Sequence, residues 1–188
     1  MKSRGQVLIL VAVLIPVVLL MLAVVVDAGR IFIERARLRR SAQAAADAGI
    51  SVVAEQMVTL AVARQTVMAS TPSPTPPGTM TATPLPNDVP AWLTDEDRRA
   101  LTTDPLQGTA VAEALAYARR NGVDATQPDI LRLEIQFPQP GYDPGESATH
   151  FLVFLVEVER RTAVLLAGLL GESFINLEAA GQSEIPQR

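Results

Sequence analysis

The hydrophobic and polar positions of this chain fall into four patterns, and each predicts its own element. The first is an unbroken apolar run. Val7 to Val26 is twenty residues without a charge, and at about 1.5 Å per residue such a helix is roughly 30 Å long, the thickness of a bilayer's hydrocarbon core. The apolar core of a cleaved export signal is shorter, about 7–15 residues. Val26-Asp27-Ala28 has small residues suited to cleavage, yet the length favours a retained transmembrane helix. Pro16 sits in mid-span, where neighbouring groups can compensate the lost hydrogen bond.

The second pattern is helical. Ile31, Leu38, Ala42, Ala45, Gly49, Val52, Gln56, Leu60, Ala63 and Val67 recur at three- and four-residue intervals, and no proline interrupts residues 17–71. One continuous helix is predicted, transmembrane over 7–26 and amphipathic over 27–69. Its outer stripe consists of small residues, "SAQAAADAG", which allow close backbone approach. The element approaching it is either the chain's own C-terminal domain or a second protomer, so self-association through this face stays open. Asp27 is expected at the membrane surface, near Arg30 one turn later, as an interfacial pair.

The third pattern is the loss of any period. Residues 70–90, "STPSPTPPGTMTATPLPNDVP", hold seven Pro and five Thr. Proline fixes φ and lacks a donor, so this is an extended, polyproline-like spacer and a candidate for O-glycosylation on an exported chain.

Residues 91–188 alternate helical and strand periods, which predicts a small α+β unit. Thr94 can cap a short helix through "DEDRRAL". Asp104-Pro105 opens a longer one, with Leu106, Ala110, Val111, Ala114, Leu115 and Ala118 on one side. Asn121-Gly122 ends it, and Arg119 and Arg120 suit its negative end. In "ILRLEIQF", Leu131, Leu133, Ile135 and Phe137 face one way and Arg132, Glu134 and Gln136 the other, giving a strand with one wet face. "HFLVFLVEVE" is apolar on both faces at its start, as a central strand is. "TAVLLAGLLG" reads as a packed helix, and "SFINLEAAGQSEI" as a closing strand with Ile175, Leu177 and Ala179 inward. The predicted fold is thus a long N-terminal helix on a pilin-like plan, followed by a small, mostly antiparallel sheet with helices on one face.

Charge narrows the partners. The net charge of −4 hides an uneven distribution: residues 31–69 hold five Arg against three acids, and residues 91–188 eight Arg against fifteen acids. An acidic outer domain argues against nucleic acid, whose phosphates need clustered positive charge. Lys2 and Arg4 flank one end of the span, and Arg30, Arg35, Arg37, Arg39 and Arg40 the other. Counting cations alone would put the C-terminal side in the cytoplasm. Long segments translocate regardless of nearby charge, Asp27 and Glu34 offset part of the cluster, and the Pro/Thr spacer is typical of exposed stalks. The expected arrangement is residues 1–6 in the cytoplasm and the domain outside. With no cysteine, disulfides, thiolate metal sites, a Cys nucleophile and a lipoprotein anchor are excluded.

The inventory for catalysis is thin. His150 is the one histidine, and Asp143, Glu146 and His150 match no justified ligand spacing; Pro-Gly turns explain their loop without function. No Ser or Thr has a plausible histidine base elsewhere. There is no GxGxxG and no GxxxxGK. No enzyme activity, metal or cofactor is expected.

The residues of the first half carry a resemblance. Gly5 after basic residues, Pro16 in mid-span, Asp27 with Gly29 and Arg30 after it, and then "QAAADA" resemble the N-terminal segment of TadE/TadG-like proteins of tight-adherence (Flp) pilus assembly. In that family the last element often reads Leu-Gln-x-Ala-Ala-Asp-Ala-Ala-Ala; Gln43, Ala45, Ala46, Asp47 and Ala48 match it, while Ala42 takes the Leu place and Gly49 an Ala place. The likeness covers residues 4–50 well and the rest loosely. Relative to the family, the Pro/Thr spacer looks like an insertion. The resemblance implies a non-enzymatic, single-pass membrane protein of the cell envelope, working with other pilus-assembly or pseudopilin subunits. TadE-type pseudopilins resemble Gly followed by Glu at the fifth mature position; counted from Gly5 that position is Leu10, which favours the uncleaved, TadG-like type. The alternative is a membrane-tethered surface-binding or stalk protein unrelated to pili.

Overall fold

The computed structural model describes residues 3–70, 93–138, 152–164, 171 and 174–185. Helix α1 runs unbroken from Ser3 to Ser70, through Pro16, and is about 100 Å long at 1.5 Å per residue. The apolar run and the amphipathic pattern are therefore two halves of one rod. Every side chain described from Leu8 to Leu22 is exposed. Among the described residues, α1 is the one helix long and apolar enough to cross a membrane.

The second half of α1 is the spine of the folded part. Leu38, Ala42, Ala45, Ala46, Ile50, Val53 and Met57 are buried, and the helix packs against β3, α3 and β2. Helix α2, Asp95–Leu101, starts with a reciprocal capping box: Thr94 Oγ1 accepts from the Asp97 N–H, and the Asp97 carboxylate accepts from the Thr94 N–H. Helix α3, Leu106–Arg120, buries Ala110, Ala114 and Ala118, an i, i+4 row of small residues. It ends in a Schellman turn. The Val123 N–H donates to Ala118 O at 2.9 Å and the Gly122 N–H to Arg119 O at 3.0 Å, with Gly122 at φ 79°.

Three strands form one antiparallel sheet in the order β1-β2-β3: β1 is Ile130–Gln136, β2 Leu152–Ala163 and β3 Phe174–Ile185. The central strand, β2, buries Leu152, Phe154, Val156 and Val158 in strict alternation. Phe154 stacks on Phe137, with ring centroids 5.1 Å apart. The expected α+β plan, its inward Leu177 and the central position of "HFLVFLVEVE" all hold.

Four expectations need correction. The inward stripe leaves the predicted line after Gly49: Val53, Met57 and Ala61 are buried, while Gln56, Ala63 and Val67 are exposed. Steps of four residues rotate the contact line by about 40° each, because the neighbours of α1 change from the sheet to α2 along its length. On β1 the register shifts between Ile130 and Arg132, which face Arg160 and Glu159. Leu131 is the extra residue of this bulge, so it is exposed and Ile130 takes the buried place. Thr162 and Ala163 extend β2 rather than starting a helix; the rest of "TAVLLAGLLG" lies almost wholly outside the described residues. Asp27 is buried, 5% exposed, whereas Arg30 is exposed, so the aspartate is turned into the protein rather than standing at an open surface. The spacer after Ser70 and the Asp143, Glu146, His150 loop also lie outside the described residues.

Candidate functional site: the helix–sheet dock

The residues "SAQAAADAG" meet β3 and β2 at the closest helix–sheet approach. Gly181 of β3 lies against the backbone of α1: a Cβ there would stand 2.3 Å from the Ala42 carbonyl carbon and from the Gln43 nitrogen. Only a strand residue without a side chain fits against a helix surface made of alanine. Two turns further along, Gly49 faces the Phe154 ring, whose Cζ would be 2.4 Å from an added Cβ. Ala42, Ala45 and Ala46 are at most 1% exposed.

Gln43 turns this approach into a specific pairing. Its Nε2 donates to Gln182 O at 2.8 Å, and the Gln182 N–H donates to Gln43 Oε1 at 3.4 Å. The side-chain amide thus acts as one peptide unit of a further strand on the open edge of β3, where backbone groups would otherwise face water. Asp47, one helical turn on, accepts the second amide hydrogen of Gln43 at 3.0 Å. Since a carboxylate accepts only, Asp47 sets which way the amide faces.

Two further ties close the dock. Ser41 Oγ donates to Asn121 O, 3.1 Å away at the end of α3. Near the far end of α1, Arg64 makes a two-pronged contact with Asp97 at 3.1 and 3.0 Å. That guanidinium, helped by hydrogen bonds from Thr94, outweighs burial and holds the Asp97 carboxyl at about 2. One residue thereby joins the α2 cap to α1.

Alongside the dock, Arg35 lines an open cleft of about 350 Å³ with Arg132, Glu157, Glu159 and Glu178. Arg132 bonds Glu134 and lies 3.2 Å from Glu157, and the Glu134 carboxyl is lowered first by its bond from Arg132. These are paired surface charges; nothing in the cleft aligns a nucleophile with a base. Among the described residues, no group of three or more His, Asp or Glu side chains could hold a metal ion.

The predicted motif residues therefore separate into two sets. Gln43, Ala45, Ala46, Asp47 and Ala48 come together in the dock. Gly5, Pro16, Gly29 and Arg30 do not join it: Gly5 precedes the apolar run and Pro16 lies within it, Arg30 is exposed, and a Cβ on Gly29 would meet nothing within 4 Å. Nothing in the fold explains Gly29. Asp27 stands at the lower end of the buried line, four residues before the half-buried Ile31. The small-residue face is taken up inside the chain, so a second copy cannot use it while the domain is docked. Sequence reasoning missed Gly181 and the Arg64–Asp97 tie. A lone glycine inside a strand pattern was the available signal for the first; the second joins distant positions and left none.

The fold and dock define a class: a protein whose long N-terminal helix leaves an apolar half bare and serves over its other half as the spine of a small antiparallel sheet. Within that class, residues 5–65 match the family model described as "Putative Flp pilus-assembly TadE/G-like", so the part of α1 that holds the apolar half and the helix side of the dock is similar to that family. The match takes in roughly a third of the chain and does not separate a TadG-like from a TadE-like protein. No curated protein and no solved structure matches the chain.

Proposed function

We propose that this protein is a non-enzymatic, single-pass membrane subunit in the assembly of a Flp/Tad-type pilus. In this reading residues 1–6 are cytoplasmic, 7–26 cross the bilayer, 27–69 carry the helix outward, 70–90 are a spacer, and 91–188 with the outer half of α1 form the extracytoplasmic domain. The partners are the lipid bilayer and other pilus-assembly or pseudopilin subunits. The observation that carries the reading is the division of α1: a bare apolar half continuous with a half that bears the domain, both within the residues 5–65 that match a pilus-assembly family. An uncleaved, TadG-like role is the finer form of it, supported by Leu10 standing where a pseudopilin has Glu.

Deletion of the gene in a piliated host is expected to abolish or sharply reduce pili, with recovery on complementation. Pili of normal number and length in the deletion strain would refute the reading. Protease added to intact cells tests the orientation separately, because an outward domain is digested and an inward one survives.

A further inference from the structure

The end of the domain nearest the apolar half of α1 carries exposed groups that the dock does not use. Its level follows from the two close contacts. Gly181 on β3 meets Ala42, and Phe154 on β2 meets Gly49. At about 3.3 Å per strand residue and 1.5 Å per helical residue, Phe174 falls level with about residue 27 of α1 and Ala163 with about residue 29. Ala163 and Phe174 are cross-strand partners, so the two reckonings agree. Ile31 and Ile175 also pack against the same core.

At this level the exposed groups among the described residues are aromatic, aliphatic and cationic. Phe174 is 54% exposed, and the Arg161 guanidinium lies 5.9 Å from its ring centroid. On α1, Phe32 is 79% and Ile33 55% exposed, and Arg30 is exposed. Asp27, the acid among them, is turned inward. Residues 27 to 30 of α1, the level of Phe174, Ala163 and Arg30, lie about 2–6 Å past Val26 along the axis. That is within a headgroup layer about 5–7 Å thick on each side of the hydrocarbon core, and Phe32, about 9 Å past Val26, lies at its outer edge. Exposed apolar side chains at that depth dip into the headgroup–acyl boundary, and arginines beside them reach lipid phosphates.

We infer that this end of the domain, Phe174 and Arg161 from the sheet with Arg30, Phe32 and Ile33 from α1, is seated on the bilayer and contacts anionic phospholipid headgroups. The inference rests on α1 being a membrane anchor, as proposed above. The bilayer is the occupant because the patch continues the bare apolar half of the same helix and, among its described residues, the exposed charges are positive. The domain is then held against the membrane at two places, the helix and the end of the sheet.

The chain has no cysteine, so single spin labels can be placed in the full-length protein in nanodiscs. Labels at Leu14→Cys, Ala163→Cys and Val62→Cys report the span, the lower end of the sheet and the far part of α1, by collision with oxygen or with a water-soluble nickel chelate. The label at 163 is expected to be several-fold better protected from nickel than the label at 62. Protection should be stronger with phosphatidylglycerol present than in pure phosphatidylcholine. Phe174→Gln with Arg161→Gln should remove it without changing the melting temperature. A label at 163 as open to nickel as that at 62, with the label at 14 still in lipid, overturns this inference and leaves the anchor standing. A water-exposed label at 14 overturns both. Protection at 163 that is equally strong in amphipol, where no bilayer exists, reports contact between proteins and also overturns it.

Discussion

Gly181 and Ala42 lie so close that a single added carbon on the glycine would stand 2.3 Å from the Ala42 carbonyl carbon. The obstacle is backbone on both sides, so no rotamer change relieves it. Gly181→Ala should therefore reach the upper end of the range for overpacking, about 3 kcal/mol. Denaturation followed by circular dichroism checks this; a loss below about 0.5 kcal/mol would mean that helix and strand separate easily.

Gly49 offers a contrasting case, because its neighbour is a side chain. Gly49→Ala should cost about 1–3 kcal/mol by pressing on the Phe154 ring. Combined with Phe154→Leu it should cost less than the sum of the two single changes. A double-mutant cycle measures the coupling, and strict additivity would show that the ring is not what resists the new methyl.

Gln43 separates shape from hydrogen bonding. Gln43→Leu keeps the bulk and loses the strand-like pairing with Gln182; since the site is exposed to water, the cost should be about 1 kcal/mol. Gln43→Glu should cost more, because it sets a carboxylate beside Asp47 and against the Gln182 carbonyl. Equal melting temperatures for the two variants would count against the pairing.

Asp97 fixes the pH dependence. Its carboxyl is held at about 2 in the folded protein against about 3.9 when unfolded. A lowered value means that the stabilisation is fully present above pH 4 and fades as pH falls through the folded value. The amount at stake is at most about 3 kcal/mol. Asp97→Asn should lower the melting temperature at pH 7 and flatten its fall between about pH 4 and pH 2. An unchanged acid limb in the variant would assign that loss of stability to other carboxylates.

Much of this architecture was legible beforehand because local chemistry dictated it. The uncharged run of Val7–Val26, the Thr94 cap, the Asn121-Gly122 stop and the two-faced apolar start of the central strand β2 are each decided within a few residues. What escaped was decided across the fold. The inward line of α1 shifts to Val53 and Met57 because its neighbours change, which periodicity along one helix cannot express. The bulge at Leu131 is a property of the pairing with β2 rather than of β1 alone. Asp27 looked like a surface charge because nothing in its own helix reveals that the folded part reaches back over it. For the candidate site, the resemblance singled out Gln43 and Asp47, but their work on the edge of β3 needs Gln182, 139 positions away from Gln43.

Helix α1 has no joint between its bare half and its docked half, and this gives the protein a mechanical character. The length from Asp27 to Ser70 is about 65 Å, so a tilt of about 10° in the lower half swings the upper end by about 11 Å. The molecule is a lever with its fulcrum near Asp27. Sideways motion in the lower half arrives at the domain amplified as displacement, and a load on the domain returns to the lower half as torque.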